Sequence, residues 1–168
     1  RDKRISFFMS NKAFGIIAEG HGVASGKAGD IRFPFGTLAM QIPIFERSGM
    51  DFKQFFKGTI NISLNSFNFE LRNPKFFFKG IKWSHDLPPE NFSFFACSLK
   101  VNSSPLRYGA FVYWPHPSTK PEFHQDEKIL EVISAYIPSI KYGDEIEISA
   151  HPDSIYFHPL SLNSEKSR

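Results

Sequence analysis

The sequence contains one cysteine, Cys97, in 168 residues. A single thiol closes no intrachain disulfide and supplies no thiolate cage for a metal. A disulfide-stapled scaffold is therefore excluded, and a reducing, cytoplasmic compartment is the expectation. Long apolar runs are also missing. None approaches the ~20 residues of a membrane-spanning helix, so no membrane association is expected. Residues 1–12 hold several charges and two Phe, without an apolar core or a small-residue cleavage site, and predict no signal peptide. Charge of one sign is scarce too. The formal net charge is +3, and Lys and Arg are scattered. The densest group, Arg1-Asp2-Lys3-Arg4, reads as a solubilising end. No basic stripe interleaved with aromatics marks a nucleic-acid interface, so no nucleic-acid partner is expected. A mildly basic surface still favours an anionic small molecule such as a nucleotide. There is no Gly-x-Ser-x-Gly elbow and no Cys–His spacing for nucleophilic catalysis, which leaves hydrolase readings little support.

What the chain has in quantity is phenylalanine, 20 residues of it, within a 16% aromatic fraction. Phe favours strands and fills cores. Twelve Pro and eleven Gly imply many turns and few long helices. The length suits one domain. We expect an N-terminal extension over 1–13, a domain over 14–158 and a polar tail over 159–168.

The clearest strand signal is Gly58-Thr59-Ile60-Asn61-Ile62-Ser63-Leu64. Ile60, Ile62 and Leu64 alternate with Thr59, Asn61 and Ser63, giving one apolar and one polar face. Further strands are expected over 14–18, 76–83, 92–101, 108–114 and 145–149. The segment 129–135 reads as a strand or a short helix. Partial strand character is expected over 38–44, with Pro43 marking an edge, and a short helix over 46–56. Val101-Asn102-Ser103-Ser104-Pro105 reads as the turn of a hairpin. Three prolines make 115–124 a long irregular loop. Many short strands joined by irregular loops predict a mainly-β, closed or partly closed barrel.

Three blocks, in this order, carry a resemblance to a known family. The first is the glycine-rich stretch with Glu19-Gly20 and Ser25-Gly26-Lys27. The second is Gly58-Thr59-Ile60-Asn61. The third runs from Gly109-Ala110-Phe111-Val112 through Thr119 and His124 to Leu130-Glu131-Val132-Ile133 and Tyr142-Gly143-Asp144-Glu145-Ile146. Their order and spacing, over roughly 15–149, resemble the archaeal CTP-dependent riboflavin kinase family. The resemblance implies a small closed six-stranded barrel of the cradle-loop type with short helical segments. It implies transfer of the γ-phosphate of CTP to the 5′-hydroxyl of riboflavin, giving FMN, with Mg²⁺ as cofactor. By the same resemblance Thr59 and Asn61 would hold the metal. Ser25, Gly26, Lys27 and Gly29 would bind the nucleotide, and Thr119, His124 and Glu131 the flavin. The chain departs from the family at Lys27-Ala28-Gly29-Asp30, which is poorer in glycine, and at Lys120-Pro121-Glu122-Phe123, which lengthens the late loop.

The residues themselves leave alternatives open. A Thr hydroxyl and an Asn amide oxygen, two positions apart on one strand, share a face and suit a hard cation that also binds phosphates. A solvated polar face has the same pattern. Residues 20–29 could cradle phosphates through backbone N–H groups or form a plain hairpin loop. Glu131, among Leu130, Val132 and Ile133, needs solvent or a partner. It is the candidate general base or flavin contact. Tyr113 and Trp114 could stack on a flavin or pack in the core. His21, His116 and His124 raise the question of a metal site without a defining spacing. A non-catalytic flavin-, nucleotide- or protein-binding module on the same barrel is the alternative function, and the chain does not say which protein would partner it.

Overall fold

The computed structural model describes residues 10–19, 36–119 and 128–160. Its elements, in chain order, are β1 (Asn11–Ala18), α1 (Thr37–Arg47), β2 (Ile60–Ser63), β3 (Phe67–Leu71), β4 (Phe76–Ile81), β5 (Glu90–Val101), β6 (Tyr108–Pro115), β7 (Ile129–Ser134), β8 (Glu145–Ala150) and β9 (Ile155–Pro159). Six strands in the order β5-β6-β7-β2-β1-β8 form a ring, because β8 pairs back onto β5. Every neighbouring pair is antiparallel. The mainly-β, closed six-stranded barrel expected from the sequence is the fold. Closure leaves those six strands without a free edge.

Strand β5 makes the closure possible. It is 12 residues long and serves two partners along one edge. Its first half pairs with β4, as in Phe76↔Phe94, and its second half with β8, from Ser98↔Ser149 to Val101↔Ile146. Its side chains alternate between two cores. Phe95, Leu99 and Val101 enter the barrel with Ile62, Leu130, Val132 and Ile148. Phe92 and Phe94 point outward into a second core with Leu38, Ile42 and Phe45 of α1. The β-sheet period of two thus fills both sides of the β5–β6–β7 wall. The two-stranded sheet β3–β9 adds Phe67, Phe69, Leu71, Ile155 and Phe157 to the barrel core.

The helix corrects the expectation of a strand over 38–44 and a helix over 46–56. Leu38, Ile42 and Phe45 recur at helical spacing, and all three are buried on the outer core together with Gln41. Pro43 lies inside the helix but on its exposed face. A helix-interior proline costs about 3 kcal/mol. Burying three large side chains, at roughly 1.5–3 kcal/mol each, outweighs it. Strands β3 and β9 were not expected, and β9 follows the strand expected over 145–149. β1 begins at Asn11, within the stretch expected to precede the domain, and its Ala13 is fully buried. The segment 129–134 is a strand rather than a short helix.

Candidate functional site

Strand β2 divides as its alternation predicts. Ile62 and Leu64 are fully buried, and Ile60 packs against the same barrel core. Thr59, Asn61 and Ser63 are half-buried on the opposite, outward side. The registers place Asn61 directly across from Glu131 of β7 on one side and from Ala18 of β1 on the other. Directly opposed residues share a face, with Cβ atoms about 4.5–5.5 Å apart. Asn61 and Glu131, 70 positions apart in the chain, are therefore side by side. Thr59 precedes them on the same face by strand alternation. That face thus carries three oxygen-bearing side chains of different chemistry, a hydroxyl, an amide and a carboxylate.

The second core supports this face from the side. The register Val112↔Val132 carries Tyr113 of β6 towards Glu131. The Tyr113 hydroxyl donates to Gln41 Oε1 of α1 at 2.6 Å, a buried bond. Trp83 Nε1 donates to Glu90 Oε2 at 2.7 Å nearby in the same core. Burial pushes the Tyr113 hydroxyl well above the ordinary tyrosine range. The carboxylates of Glu131 and Glu90 add to the rise, and the Gln41 hydrogen bond opposes it. Tyr113 is thus a neutral donor with Glu131 in its electrostatic reach. It is not a stacking surface, since it is 4% exposed and its ring lies 5.9 Å from Phe92 in stacked geometry. Trp114 is half-buried against the barrel core.

The sequence reading missed Gln41, Trp83 and Glu90 as parts of this framework. Gln41 had one legible signal, a lone polar residue at helical spacing among Leu38, Ile42 and Phe45. Glu90 follows Pro88-Pro89 and gives no periodic cue.

Thr119 and His116 belong to a neighbouring group on the late loop. Thr119 Oγ1 accepts the Asn91 N–H at 3.0 Å and donates to the His116 carbonyl at 3.1 Å. Its hydroxyl fastens the end of β6 to the start of β5. His116 Nε2 meets Ser93 Oγ at 2.7 Å, and Phe77 packs on the imidazole at 5.5 Å. Burial lowers the His116 pKa from the ordinary histidine value. The structure therefore brings Thr59, Asn61 and Glu131 to one face and gives Thr119 a structural bond on a different pair of strands.

Ser25, Gly26, Lys27, Gly29, His21 and His124 lie outside the described residues. Ala18, the last residue of β1, is abreast of Asn61, and Gln41, which holds the Tyr113 hydroxyl, belongs to α1. On the other side of Ala18, the turn Tyr142-Gly143-Asp144 is tied to β1. Gly143 N–H donates to the Ile17 carbonyl at 2.8 Å, and Ile17 N–H to the Asp144 carbonyl at 2.9 Å. Gly143 has φ +93°, which a side chain would strain.

The donor set fits a hard cation. Mg²⁺ prefers oxygen ligands and keeps several waters, and the Thr59 hydroxyl and Asn61 amide oxygen are donors of that kind. Among the described residues there is no cluster of three His, Cys, Asp or Glu side chains able to hold a metal, so a transition-metal centre has no ligand set there. Cys97, part-buried on β5, has its thiol pushed up to about 12 by burial and is not an activated nucleophile. Among the described residues, no helix is long and apolar enough to cross a membrane. Compared with known proteins, the chain matches no family model and no curated protein.

Proposed function

We propose that the protein is a riboflavin kinase that moves the γ-phosphate of a nucleotide, CTP by the sequence resemblance, to the 5′-hydroxyl of riboflavin. The observation that carries this reading is the pairing of Asn61 with Glu131 on adjacent strands, with Thr59 on the same face. Phosphoryl transfer is mainly a matter of positioning and charge neutralisation. Thr59 and Asn61 would hold Mg²⁺, which neutralises phosphate charge when bound. Glu131 would accept a hydrogen bond, or the proton, from the attacking hydroxyl. That step breaks the bond between the γ-phosphorus and its bridging oxygen and forms one to the ribityl oxygen. The proton passes to Glu131 and then to water. Ser25, Gly26, Lys27 and Gly29 are proposed to take the nucleotide phosphates, and His124 to contact the flavin. A cytoplasmic setting belongs to the same proposal.

The experiment is incubation with riboflavin, Mg²⁺ and each nucleoside triphosphate in turn, followed by detection of FMN. Thr59→Ala and Asn61→Ala should each abolish FMN formation while the melting temperature stays within a few degrees of wild type. No FMN with any nucleotide overturns the kinase. Full activity in both variants removes the metal assignment.

A second reading, a non-catalytic binding module, rests on the sequence Lys27-Ala28-Gly29-Asp30, which is poorer in glycine than the family's phosphate-binding loop. Saturable binding of riboflavin or CTP in calorimetry, without turnover, would support it.

A further inference from the structure

The polar face does not end at Asn61. Register carries it across β1, β8 and β5 in rows of directly opposed residues, which share a face. Asn61 lies beside Ala18. One row on, Ser63 lies beside Ile16, and Ile16 beside Glu145. In the next row, Phe14 lies beside Glu147, and Glu147 beside Lys100. Ala18, Asn61 and Ser63 are half-buried, and Ile16 and Phe14 are exposed. Among the described residues, no buried side chain interrupts the face between the Asn61–Glu131 pair and Phe14. From Ala18 to Phe14 along β1 is about 13 Å at strand rise.

The far part of this face is a groove of about 530 Å³, lined by Phe14, Ile16, Ser63 and Lys100 among others. That size suits a small ligand. Its floor is apolar, with Phe14 55% exposed and Ile16 44% exposed. Single exposed apolar side chains are ordinary. These two follow each other on one face of β1 and form a strip, and Phe67 packs beside the Phe14 ring at 6.3 Å. The wall is polar. Glu147 is engaged by Lys12 at 3.4 Å and by Arg107 at 3.8 Å. Lys100, directly across from Glu147, makes no ion pair with any described residue. Asn102 accepts the Glu145 N–H on its Oδ1 at 3.1 Å, which leaves its NH₂ group as a donor.

An apolar strip beside a spare cation and an amide donor suits a flat ring that is apolar at one end and carries carbonyl oxygens at the other. The isoalloxazine of riboflavin is such a ring, with a dimethylbenzene end and a pyrimidine-dione end. A nucleobase, smaller and without an apolar ring at one end, matches the strip less well. An extended ribityl chain covers the step from Asn61 to Ser63, about 7 Å at strand rise. With its 5′-hydroxyl at Glu131, the ring then falls over Ile16 and Phe14.

We propose, resting on the riboflavin kinase reading, that this groove holds the isoalloxazine ring. Phe14 and Ile16 lie against its face, Lys100 meets its carbonyl edge, and the ribityl chain runs past Ser63 to Asn61 and Glu131. The groove sets affinity for the flat acceptor and leaves the phosphoryl donor untouched.

The test measures FMN formation and calorimetric binding of lumiflavin, the ring without its ribityl chain, in wild type, Phe14→Ala, Lys100→Gln and Lys100→Arg. Loss of the aromatic surface should raise the riboflavin KM and the lumiflavin Kd of Phe14→Ala about tenfold. Lys100→Gln should raise both by a smaller factor, and Lys100→Arg should restore both. The kcat and the nucleotide KM should stay near wild type throughout. Phe14 is exposed, so a melting temperature near wild type separates binding from folding, and if that variant is destabilised the Lys100 pair still decides. Turnover with an unchanged riboflavin KM in Phe14→Ala and Lys100→Gln overturns the ring site and leaves the kinase standing. A raised nucleotide KM with an unchanged riboflavin KM would give the groove to the donor's base, and also overturns the proposal. If wild type makes no FMN yet binds lumiflavin, and Phe14→Ala loses that binding, the kinase reading falls and the ring site stands. Neither turnover nor lumiflavin binding in wild type overturns both.

Discussion

Tyr113 lies beside Glu131 with its hydroxyl on Gln41, and the pair shows how a buried polar contact fixes a helix to a barrel wall. Replacing the donor leaves the Gln41 oxygen without this bond in a buried setting, which costs about 1–3 kcal/mol. Tyr113→Phe should therefore lower stability by that amount in urea unfolding near neutral pH. The same phenol makes stability depend on alkali. Its folded-state pKa is raised above the unfolded value of about 10. Its contribution is complete below that value and is lost as pH rises towards the folded one, because only the unfolded chain releases the proton easily. Wild type should lose stability from about pH 10 upward, and Tyr113→Phe should lose less over the same range. Equal slopes would mean that Tyr113 is not the source. At this scale the sequence was informative where periodicity governs. Ile60, Ile62 and Leu64 announced their face because side chains alternate along a strand. Glu131 could be marked as a carboxylate in an apolar run, but its neighbour Asn61 is brought by register, which no local pattern encodes. Tyr113 was legible as aromatic, and only the packing of Phe92 and Phe94 decides that it is closed to a ligand.

At the scale of elements, β1 and β2 approach closely at Gly15. A Cβ built there would lie 2.4 Å from the Ser63 carbonyl oxygen and 2.9 Å from side-chain atoms of Ile62 and Leu64. The carbonyl is backbone and cannot swing aside unless β2 moves, and β2 carries Asn61. Gly15→Ala should destabilise the fold by about 1–3 kcal/mol, as overpacking does. A shift in the thermal midpoint reads it. A variant as stable as wild type would show that the strands separate without cost. The helix shows why element type was harder to read than element existence. Pro43 in a short apolar segment argues locally for a strand edge. Tertiary burial of Leu38, Ile42 and Phe45 overrides that cue, and the proline is accommodated on the solvent face. The strands β3 and β9 were missed because each depends on the other. Phe67↔Pro159 and Leu71↔Ile155 bring together segments more than 80 residues apart, and neither has strong alternation alone.

Across the whole molecule, one wall serves two cores, and this should make folding cooperative. Strands β5 and β6 send alternate side chains inward and outward, so neither core can be dissolved without freeing residues of the other. Phe45 is the centre of the outer core. It is fully buried and meets Phe52, Phe78, Phe92 and Phe94 within 5.9 Å. Phe45→Ala should cost about 3–5 kcal/mol. The two tryptophans report the two sides separately, because Trp83 lies in the outer core and Trp114 packs against the barrel core. Single-tryptophan variants, Trp114→Phe and Trp83→Phe, each followed by fluorescence and far-ultraviolet circular dichroism, should give coincident unfolding curves within each variant. Introducing Phe45→Ala should shift both probes together in each background. If only the Trp83 signal moved, the outer core would be a separable layer on an independently stable barrel. Coincidence would mean instead that α1, which anchors Tyr113 beside Glu131, is held by the same cooperative unit that sets the Asn61–Glu131 register. The polar face would then be kept in place by the stability of the whole barrel rather than by its own few hydrogen bonds.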